Sequence, residues 1–278
     1  MDRKKPVNQS IDYIMQHLHE NLSLDIIAAQ CFLSKYYLDR LFREETGESI
    51  YAFIKRCRMD QSAIDMKLQP SKSVTEIGLD YGYSSSNYST VFKTHTHTSP
   101  TGFRQAVPIH SMVHPFIPEK IICFKTAEEY DRRIEIKELT DTHVVYERFF
   151  GSYHSIEECW YRFLEAHKAE RNENTILIER FFNDPAITKP SQCFVDLCMS
   201  VEAESIRKDR LCIEGGKWAV YHYDGEIKDI FEALQGIFNV WLPYSGFTMA
   251  RHYGLNIYRE IDREQHKVRM DLCIPVHK

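Results

Sequence analysis

The second half of the chain repeats itself at a fixed interval, and this repeat constrains the fold more than any other feature. Val195–Val201 (VDLCMSV) returns as Met270–Val276 (MDLCIPV), and Val144–Gly151 (VVYERFFG) returns at the same offset as Ala219–Gly225 (AVYHYDG). In both copies a helical pattern and an apolar segment lie between the matching pieces, so the order is strand, helix, strand, strand. Similarity at one offset across four elements indicates a duplication.

Two copies cannot form a solenoid, so we expect them to pair into one curved antiparallel sheet with both helices on one face. The other face would then form a groove along the pseudo-twofold axis between the copies, which is a natural place for a small ligand. Asp196 and Asp271 recur at the same position of both copies, so we interpret them as architectural residues and not as catalytic ones.

Residues 10–104 have helical periodicity without strand alternation. The pattern predicts two short helices joined by a tight turn, then a longer helix over Ser49–Leu68, and then a second pair of short helices. The capping and turn residues expected for these helices are Ser23, Ser34, Gly47, Ser73, Glu76 and Gly82. Two short helices joined in this way form a helix-turn-helix unit, whose second helix can lie in the major groove of DNA.

The net charge of −5 would by itself argue against a nucleic-acid binder, but the charge is unevenly distributed. Residues 1–107 hold 13 lysines and arginines against 12 acidic residues, whereas the remainder holds 22 against 28. The acidity therefore belongs to the second half, and the first half keeps a small positive balance that is compatible with DNA binding.

The N-terminal region resembles the AraC/XylS-type DNA-binding domain over nearly its whole length. The resemblance is carried by LSLDIIA (22–28), Ser34, Leu38, Arg40, Leu41-Phe42, Gly47, Arg58, Ala63, SVTEIG (73–78), Gly82-Tyr83, Phe92-Lys93, Ser99-Pro100 and Phe103-Arg104. It implies an all-α double helix-turn-helix domain that places two recognition helices in adjacent major grooves on one face of double-stranded DNA.

We expect the exposed face of the first recognition helix to meet DNA through Lys35, Tyr36, Asp39, Arg40 and Arg43. A guanidinium group can form two hydrogen bonds with guanine, so Arg40 is the candidate for a base-edge contact. Tyr36 is expected to stack on a sugar or a thymine methyl group, and Lys35 and Arg43 are expected to contact phosphates. The alternative is that these side chains are ordinary charges of a solvated helix face.

The second unit departs from the family pattern, because it looks one residue short and has Thr90 where the family often has arginine. Fewer cations mean fewer phosphate contacts and a shallower salt dependence. We expect Lys93 to contact a phosphate. The side chains expected to make weak or backbone-directed DNA contacts are Ser85, Ser86, Asn87 and Ser89.

Val107–Pro118 (VPIHSMVHPFIP) holds three prolines and lacks helical periodicity, which is typical of a connector. We therefore predict a DNA-binding domain at 1–107, a linker at 108–120 and a second domain at 121–278. The whole chain is predicted to be an α+β multidomain protein.

From Asp131 to His277 the chain resembles the GyrI-like effector-binding domain of Rob-type regulators. The resemblance is carried by Tyr146, Gly151, Tyr153, Ile156, Trp160, Asn183-Asp184-Pro185, Asp196, Gly215-Gly216, Ala219-Val220-Tyr221, Gly225, Trp241-Leu242-Pro243, Ser245-Gly246-Phe247, Tyr258 and Pro275-Val276. It implies a transcription regulator that senses a small aromatic or amphipathic molecule. Activation is the favoured sign, and RNA polymerase is a candidate protein partner.

The side chains expected to line the ligand groove are Tyr146, Phe149, Trp160, Tyr221, Trp241, Asn256 and Tyr258. Aromatic residues at such spacing are also typical of a core, and that interpretation stays open for each of them. The family usually has glutamate two residues before Tyr258, where this chain has Asn256. A buried carboxylate can neutralise a cationic ligand, and an amide cannot. Either the site is less suited to lipophilic cations, or Glu147 or Glu179 on a neighbouring strand replaces the missing acid.

Other functional classes find less support in the sequence. There is no G-x-S-x-G motif, phosphate loop or metal-ligand cluster, so we expect no enzyme, catalytic residue, cofactor or metal. His95 and His97 have no further ligand at metal-binding spacing, and a solvated helix end is favoured for them. Some GyrI-like relatives act as hydrolases through a glutamate and a tyrosine, so a small-molecule hydrolase is one alternative and a protein-interaction module is another.

The scattered cysteines and the absence of long apolar runs bear on the compartment. None of the eight cysteines forms a C-x-x-C pair, no apolar run is long enough to span a bilayer, and there is no secretory signal pattern. We expect reduced thiols, no membrane partner and a cytoplasmic location.

Overall fold

The computed structural model describes residues 3–117, 119–201 and 210–278. The chain divides into two compact units, Met1–Val107 and Pro108–Lys278. Met1, Asp2, Pro118 and 202–209 fall within the predicted domains and linker but lie outside the described residues.

The described part of the first unit is helical, as the sequence predicts. Its helices are α1 (Lys4–Gln16), α2 (Leu24–Gln30), α3 (Lys35–Thr46), α4 (Ile50–Leu68), α5 (Val74–Asp80), α6 (Ser85–Thr96) and α7 (Pro100–His110). The hydroxyl of Ser23 accepts the amide of Ile26 at the start of α2. Ser73 and Glu76 form the predicted capping box of α5. Gly47 ends α3 in the left-handed region, at φ 78°, as expected for a C-terminal glycine.

The two helix-turn-helix units match each other element by element. In both, a seven-residue helix is joined by a short turn of equal length to a twelve-residue helix, so the second unit is not shorter than the first. Leu38 and Phe42 are buried in α3, and Tyr88 and Phe92 are buried in α6. The second unit has glycine in the turn, and the first has Phe32 there at φ 54° with 94% of its surface exposed.

Helix α7 extends past the predicted end of the first domain. It runs to His110 with Pro108 inside it, so the expectation of a non-helical connector is wrong for residues 108–110. Proline lacks the amide that would bond back into the helix, and the helix ends soon after it. Further along the predicted linker, the ring of Phe116 lies 5.6 Å from that of Phe231, so this part packs within the second unit.

The second unit contains the predicted duplicated fold together with further short elements. Its helices are α8 (Ala127–Asp131), α9 (Ile156–Ala166) and α10 (Ile230–Gly236). Its strands are β1 (Ile134–Leu139), β2 (Thr142–Phe150), β3 (Leu177–Phe181), β4 (Phe194–Ser200), β5 (Leu211–Ile213), β6 (Gly216–Glu226), β7 (Thr248–Met249), β8 (Gly254–Asp262) and β9 (Lys267–His277). The order strand, helix, strand, strand is confirmed twice, as β2-α9-β3-β4 and β6-α10-β8-β9.

The strands form an antiparallel sheet whose order reveals the duplication. Among the described residues the order is β1-β6-β9-β8-β3-β4-β2-β5, and β7 pairs with β9. The block β6-β9-β8 is the mirror of the block β3-β4-β2, so the pseudo-twofold axis lies between β8 and β3. The two half-sheets meet at β3 and β8, which are the equivalent strands of the two copies. This confirms the prediction that the two copies pair into one sheet.

One row of residues across the sheet identifies the face that carries the helices. Directly paired residues share a face, and the row that runs in turn through β2, β4, β3, β8, β9 and β6 consists of Glu147, Leu197, Glu179, Asn256, Leu272 and Tyr221. Helix α9 packs on this face, where its Phe163 meets Leu197 in one apolar cluster. On the opposite face Trp218, Ile178 and their neighbours are buried in a second cluster.

The prediction that the ligand groove lies on the helix-free face is therefore wrong. That face is filled by buried apolar side chains, whereas Asn256 and Glu179 lie at the axis on the helix-bearing face.

Candidate functional site

The outward face of α3 presents the aromatic and basic groups that the sequence assigned to DNA. Tyr36 is 79% exposed, and Arg40 and Arg43 are exposed on the same helix. The guanidinium of Arg40 lies 5.2 Å from the ring centre of Tyr37 and 3.9 Å from Glu44. Both contacts are at the surface, where they are weak enough to be exchanged for a base edge.

Asp39 has a structural role that the sequence did not reveal. One carboxylate oxygen accepts the amide of Ile50 at 3.0 Å, and the other accepts Nε of Arg43 at 2.8 Å. Asp39 therefore fastens α3 to the start of α4 and orients Arg43. Lys35 is likewise engaged, because its Nζ lies 2.9 Å from Asp25.

The outward face of α6 is polar and carries little charge. Its exposed side chains include Ser85, Ser86, Asn87, Ser89 and Lys93. The hydroxyl of Thr90 bonds to the carbonyl of Ser86 in the preceding turn, at 3.1 Å, so it is turned toward its own helix. His95 is not at a solvated end, because its Nε2 lies 2.7 Å from the buried carboxylate of Asp60. Within the described ranges, no three histidine, cysteine or acidic side chains are grouped as a metal site.

Glu179 lies at the centre of the second unit, next to the pseudo-twofold axis. It pairs directly with Asn256 across β3 and β8, and only 4% of its surface is exposed. The hydroxyl of Tyr258 donates to Oε2 at 2.9 Å, and Nδ2 of Asn256 donates to Oε1 at 3.3 Å. The ring of Trp160, from α9, meets that of Tyr258 edge to face at 5.5 Å.

Of the two acids named from the sequence, Glu179 and not Glu147 stands beside Asn256. Glu147 is partly exposed near the C-terminal end of α9, where its Oε1 lies 3.2 Å from Nε2 of His167. The carboxylate that the resemblance led us to expect at Asn256 is thus matched by one in the first repeat, directly opposite that position. Glu179 could have been identified from the sequence by aligning the two repeats and pairing β3 with β8, the third elements of the two copies. Residues next to a twofold axis face each other, so this pairing sets Glu179 opposite Asn256.

Burial determines the electrostatics of this group. Desolvation raises the pKa of Glu179, and the hydrogen bonds from Tyr258 and Asn256, with a smaller contribution from Trp160, offset part of that rise. Burial also raises the pKa of Tyr258, and the neighbouring Glu179 carboxylate raises it further, so the phenol stays protonated and donates. Tyr153 was not assigned to the site from the sequence. Burial raises the pKa of Tyr153, and the nearby Glu179 carboxylate raises that pKa further.

The predicted groove residues divide into three groups. Trp160, Asn256 and Tyr258 surround Glu179. Phe149 lies on the same face in the apolar cluster under α9. Tyr221 and Trp241 form hydrogen bonds at the end of α8 and just after it. The hydroxyl of Tyr221 accepts from Arg133 at 3.3 Å, and the indole of Trp241 donates to Asp131 at 3.1 Å.

Tyr146 is separated from all of them by the sheet. It pairs with Cys198 and packs against the apolar cluster of the helix-free face, so it cannot line a site around Glu179.

We expect Glu179→Gln to raise the melting temperature of the second domain at pH 7–8 by roughly 2–4 °C, the shift that about 1 kcal/mol produces in a domain of this size. Because burial raises the pKa of Glu179, the folded state favours the neutral carboxyl. The stability that this neutral form provides is lost as pH rises above the ordinary glutamate pKa of about 4.3. Glutamine stays neutral, so the two proteins should melt alike only below about pH 4.

The matched control for this measurement is Glu147→Gln. Its carboxylate is exposed to solvent, so the change in unfolding free energy should stay within about 0.5 kcal/mol. A Glu179→Gln protein that melts below the wild type at pH 8 would contradict the assignment of a destabilising buried charge.

Comparison with known proteins agrees with the two-part structure. Residues 132–277 match the GyrI-like small molecule binding domain, and residues 27–106 match a helix-turn-helix domain. The right origin-binding protein of Escherichia coli K12 is 23% identical over the full length of both chains. The transcriptional regulator Rob of Salmonella typhimurium LT2 is 30% identical over 107 residues, which are 38% of this chain and 37% of that protein.

Among solved structures, the C-terminal domain of EcmrR is similar to part of this chain. It is 14% identical, the match covers 52% of this chain and 97% of that domain, and the TM-score is 0.45. Within the described residues, none of the helices has the length and apolar character needed to cross a bilayer.

Proposed function

Since this chain belongs to the GyrI-like small molecule binding family and carries an AraC-type helix-turn-helix domain before it, we propose that a small aromatic cation bound beside Glu179 controls its activity on DNA. The chain is a DNA-binding transcription regulator with a small-molecule-binding domain. The proposal adds the place of the ligand, its charge and the residues that meet DNA. We further propose activation as its effect and the cytoplasm as its location.

The observation that carries the ligand proposal is the buried carboxylate of Glu179 at the pseudo-twofold axis. Its hydrogen-bond donors, Tyr258 and Asn256, are both neutral, so a cation would supply the charge that the ionised form needs. The edge-to-face rings of Trp160 and Tyr258 give an aromatic ligand surfaces to contact.

Footprinting and transcription assays with the full chain test the regulator as a whole. The DNA would cover the region around its own gene, and the probes would be 1-naphthylmethylammonium and tetraphenylphosphonium as cations, with triphenylphosphine oxide as the neutral control. We expect a protected site of roughly two helical turns and a rise in transcript with a cation but not with the oxide. A protein that protects no site, or that responds equally to the neutral compound, would contradict the proposal.

The contacts of the two recognition helices with DNA differ in kind. We expect Arg40→Ala to cost about 1–3 kcal/mol of binding free energy and to relax the preference at one base pair, because Arg40 is exposed on α3 and able to bond guanine. Lys93→Ala should weaken binding evenly across sequences and lower the salt slope by about 1, as for a phosphate contact.

Gel-shift titrations of both variants on a randomised site, at several salt concentrations, separate the two contributions. Lys35, Tyr36 and Arg43 on α3 would contribute positioning contacts with the backbone. A Lys93→Ala protein with a changed base preference, or an Arg40→Ala protein with an unchanged one, would reverse our assignment.

A hydrolase is the second candidate, and the 2.9 Å hydrogen bond between Tyr258 and Glu179 is the observation in its favour. We propose binding without turnover, because the raised pKa of Tyr258 keeps the phenol from acting as a nucleophile near neutral pH. Mass spectrometry of an electrophilic aromatic compound incubated with the protein tests this. Turnover that is lost in Tyr258→Phe would favour the hydrolase.

RNA polymerase is the protein partner that activation would require. An in vitro transcription assay with purified polymerase, the regulator and its protected DNA tests for it directly. A transcript level that falls when the regulator is added would assign repression in place of activation.

A further inference from the structure

The amide oxygen of Asn256 is buried and forms no hydrogen bond with any residue that the structure describes. The residue is 5% exposed, and its Nδ2 donates to the carboxylate of Glu179 at 3.3 Å. Because an ionised carboxylate only accepts, the amide has to turn its nitrogen toward Glu179, and this fixes the direction of Oδ1. Among the described residues, Oδ1 of Asn256 meets no donor.

This oxygen lies beside a second group that can accept more hydrogen bonds than it receives. Glu179 accepts hydrogen bonds from Tyr258 and Asn256, and Trp160 interacts with it more weakly, whereas two carboxylate oxygens offer about four lone-pair sites. Directly opposed residues of an antiparallel pair have side chains about 4.5–5.5 Å apart at Cβ. Free acceptor capacity of two kinds, one charged and one neutral, is therefore concentrated at the axis.

We propose that the ligand of this site is a protonated amine, amidine or guanidine attached to an aromatic body, and that its N–H groups bond both the Glu179 carboxylate and Oδ1 of Asn256. This inference rests on the proposed small-molecule function and adds the chemical class of the ligand. In this arrangement Glu179 selects for a positive charge on the ligand, and Asn256 selects for an N–H group.

A fully substituted cation satisfies only half of this site. A quaternary ammonium or a phosphonium group neutralises Glu179, but it carries no hydrogen and leaves Oδ1 of Asn256 buried without a partner. A neutral alcohol offers one donor and leaves the charge uncompensated. Sites built to hydrogen-bond a ligand reject analogues that lack the donor more strongly than analogues that differ only in size. The aromatic contact with Trp160 is available to a primary ammonium, a fully substituted cation and an alcohol alike, so it does not distinguish them.

Calorimetric titration of the full chain with three matched probes tests the class. The probes are 1-naphthylmethylammonium, its N,N,N-trimethyl analogue and 1-naphthalenemethanol, which share one aromatic body. We expect the primary ammonium to bind at least about tenfold more tightly than the trimethyl compound, because one buried acceptor is satisfied in only one of the two complexes. The alcohol should bind most weakly.

Variants of Asn256 attribute the preference to its oxygen. In Asn256→Leu the preference for the primary ammonium over the trimethyl compound should fall to about twofold or less, while the preference of both cations over the alcohol remains. Asn256→Ala serves as the second variant if leucine disturbs the sheet. Tyr146→Phe, on the opposite face, is the control and should keep the wild-type order.

The outcomes separate this inference from the function on which it rests. Equal or tighter binding of the trimethyl compound overturns the proposed class and leaves Glu179 as a cation site. Binding of the alcohol as tight as that of the cations, or no binding of any probe, overturns the proposed cation site and this inference with it.

Discussion

Asp196→Asn should lower the free energy of unfolding of the second domain by about 3–5 kcal/mol, the cost of removing one partner from a buried ion pair. Asp196 is 0% exposed and accepts hydrogen bonds from two buried arginines. Nε of Arg148 bonds Oδ1 at 2.7 Å, and Nε of Arg180 bonds Oδ2 at 2.9 Å. Asparagine would leave both guanidinium groups without their negative partner and would turn an N–H toward one of them. Since domains are stable by only about 5–15 kcal/mol, much of the protein would unfold.

The duplication provides the matched control, Asp271→Asn. Asp271 holds the same position in the second repeat, but its partners Arg259 and His222 have side chains 55% and 53% exposed. Water can solvate those partners when the carboxylate is removed, so the loss should stay at about 1 kcal/mol or less. Two substitutions of the same chemistry, at equivalent positions of the repeats, thus leave behind cationic groups that are buried in one case and exposed in the other.

Urea denaturation followed by tryptophan fluorescence reads out the correct domain. Trp160, Trp218 and Trp241 are the only tryptophans in the chain, and all of them belong to the second unit. Equal destabilisation by Asp196→Asn and Asp271→Asn would show that burial of the arginines is not what makes the first site costly.

The sequence predicted the elements of this fold well because their signals are local. The cap at Ser23, the capping box at Ser73 and the helix-ending Gly47 depend on a few neighbouring residues, and the structure confirms them. Ser34 lies at the predicted start of α3, but its side chain forms no capping hydrogen bond. The fixed interval between Val195–Val201 and Met270–Val276 predicted the repeated order strand, helix, strand, strand, which the structure confirms. The role of Asp39 was missed because its partner, the amide of Ile50, belongs to the next helix.

The faces of the strands could not be predicted in the same way, and two tyrosines at equivalent positions of the repeats explain why. Tyr146 pairs with Cys198, but Tyr221 pairs with Leu272, one residue short of the equivalent pairing with Cys273. A slip of one residue moves every side chain of a strand to the other face. Tyr221 therefore lies on the helix-bearing face and Tyr146 on the opposite face, although the sequence presents them as equivalents. Register depends on pairing between distant strands, which the repeat does not encode.

The proximity of Asn256, Tyr258 and Glu179 could be inferred from the sequence for the opposite reason. Residues next to a twofold axis stay close together whatever happens to outer strands, so Asn256 and Tyr258 remained together and Glu179 joined them. The identity of the acid followed from the sequence only as a choice between Glu147 and Glu179. The register of β3 with β8 distinguishes them, because it sets Glu179 directly opposite Asn256.

Exchange of the two residues across the axis should first abolish and then restore cation binding. Glu179→Asn alone should weaken 1-naphthylmethylammonium by at least about thirtyfold, since removing one partner of a buried charge pair costs about 2 kcal/mol or more. Adding Asn256→Glu should bring the affinity back to within a few-fold of the wild type. The reason is geometric, because the two positions pair directly and Tyr258, two residues along β8, remains beside either carboxylate.

Calorimetry on the single and double variants, with Tyr146→Phe as the unaffected control, measures this recovery. Unfolding followed by tryptophan fluorescence confirms that each variant is folded, and the double variant should regain the buried-acid instability that the single variant loses. A double variant that binds no better than Glu179→Asn would mean that the carboxylate has to lie on the first repeat. Recovery would instead mean that the pseudo-twofold axis defines the site, and that a carboxylate on either repeat can hold the same cation.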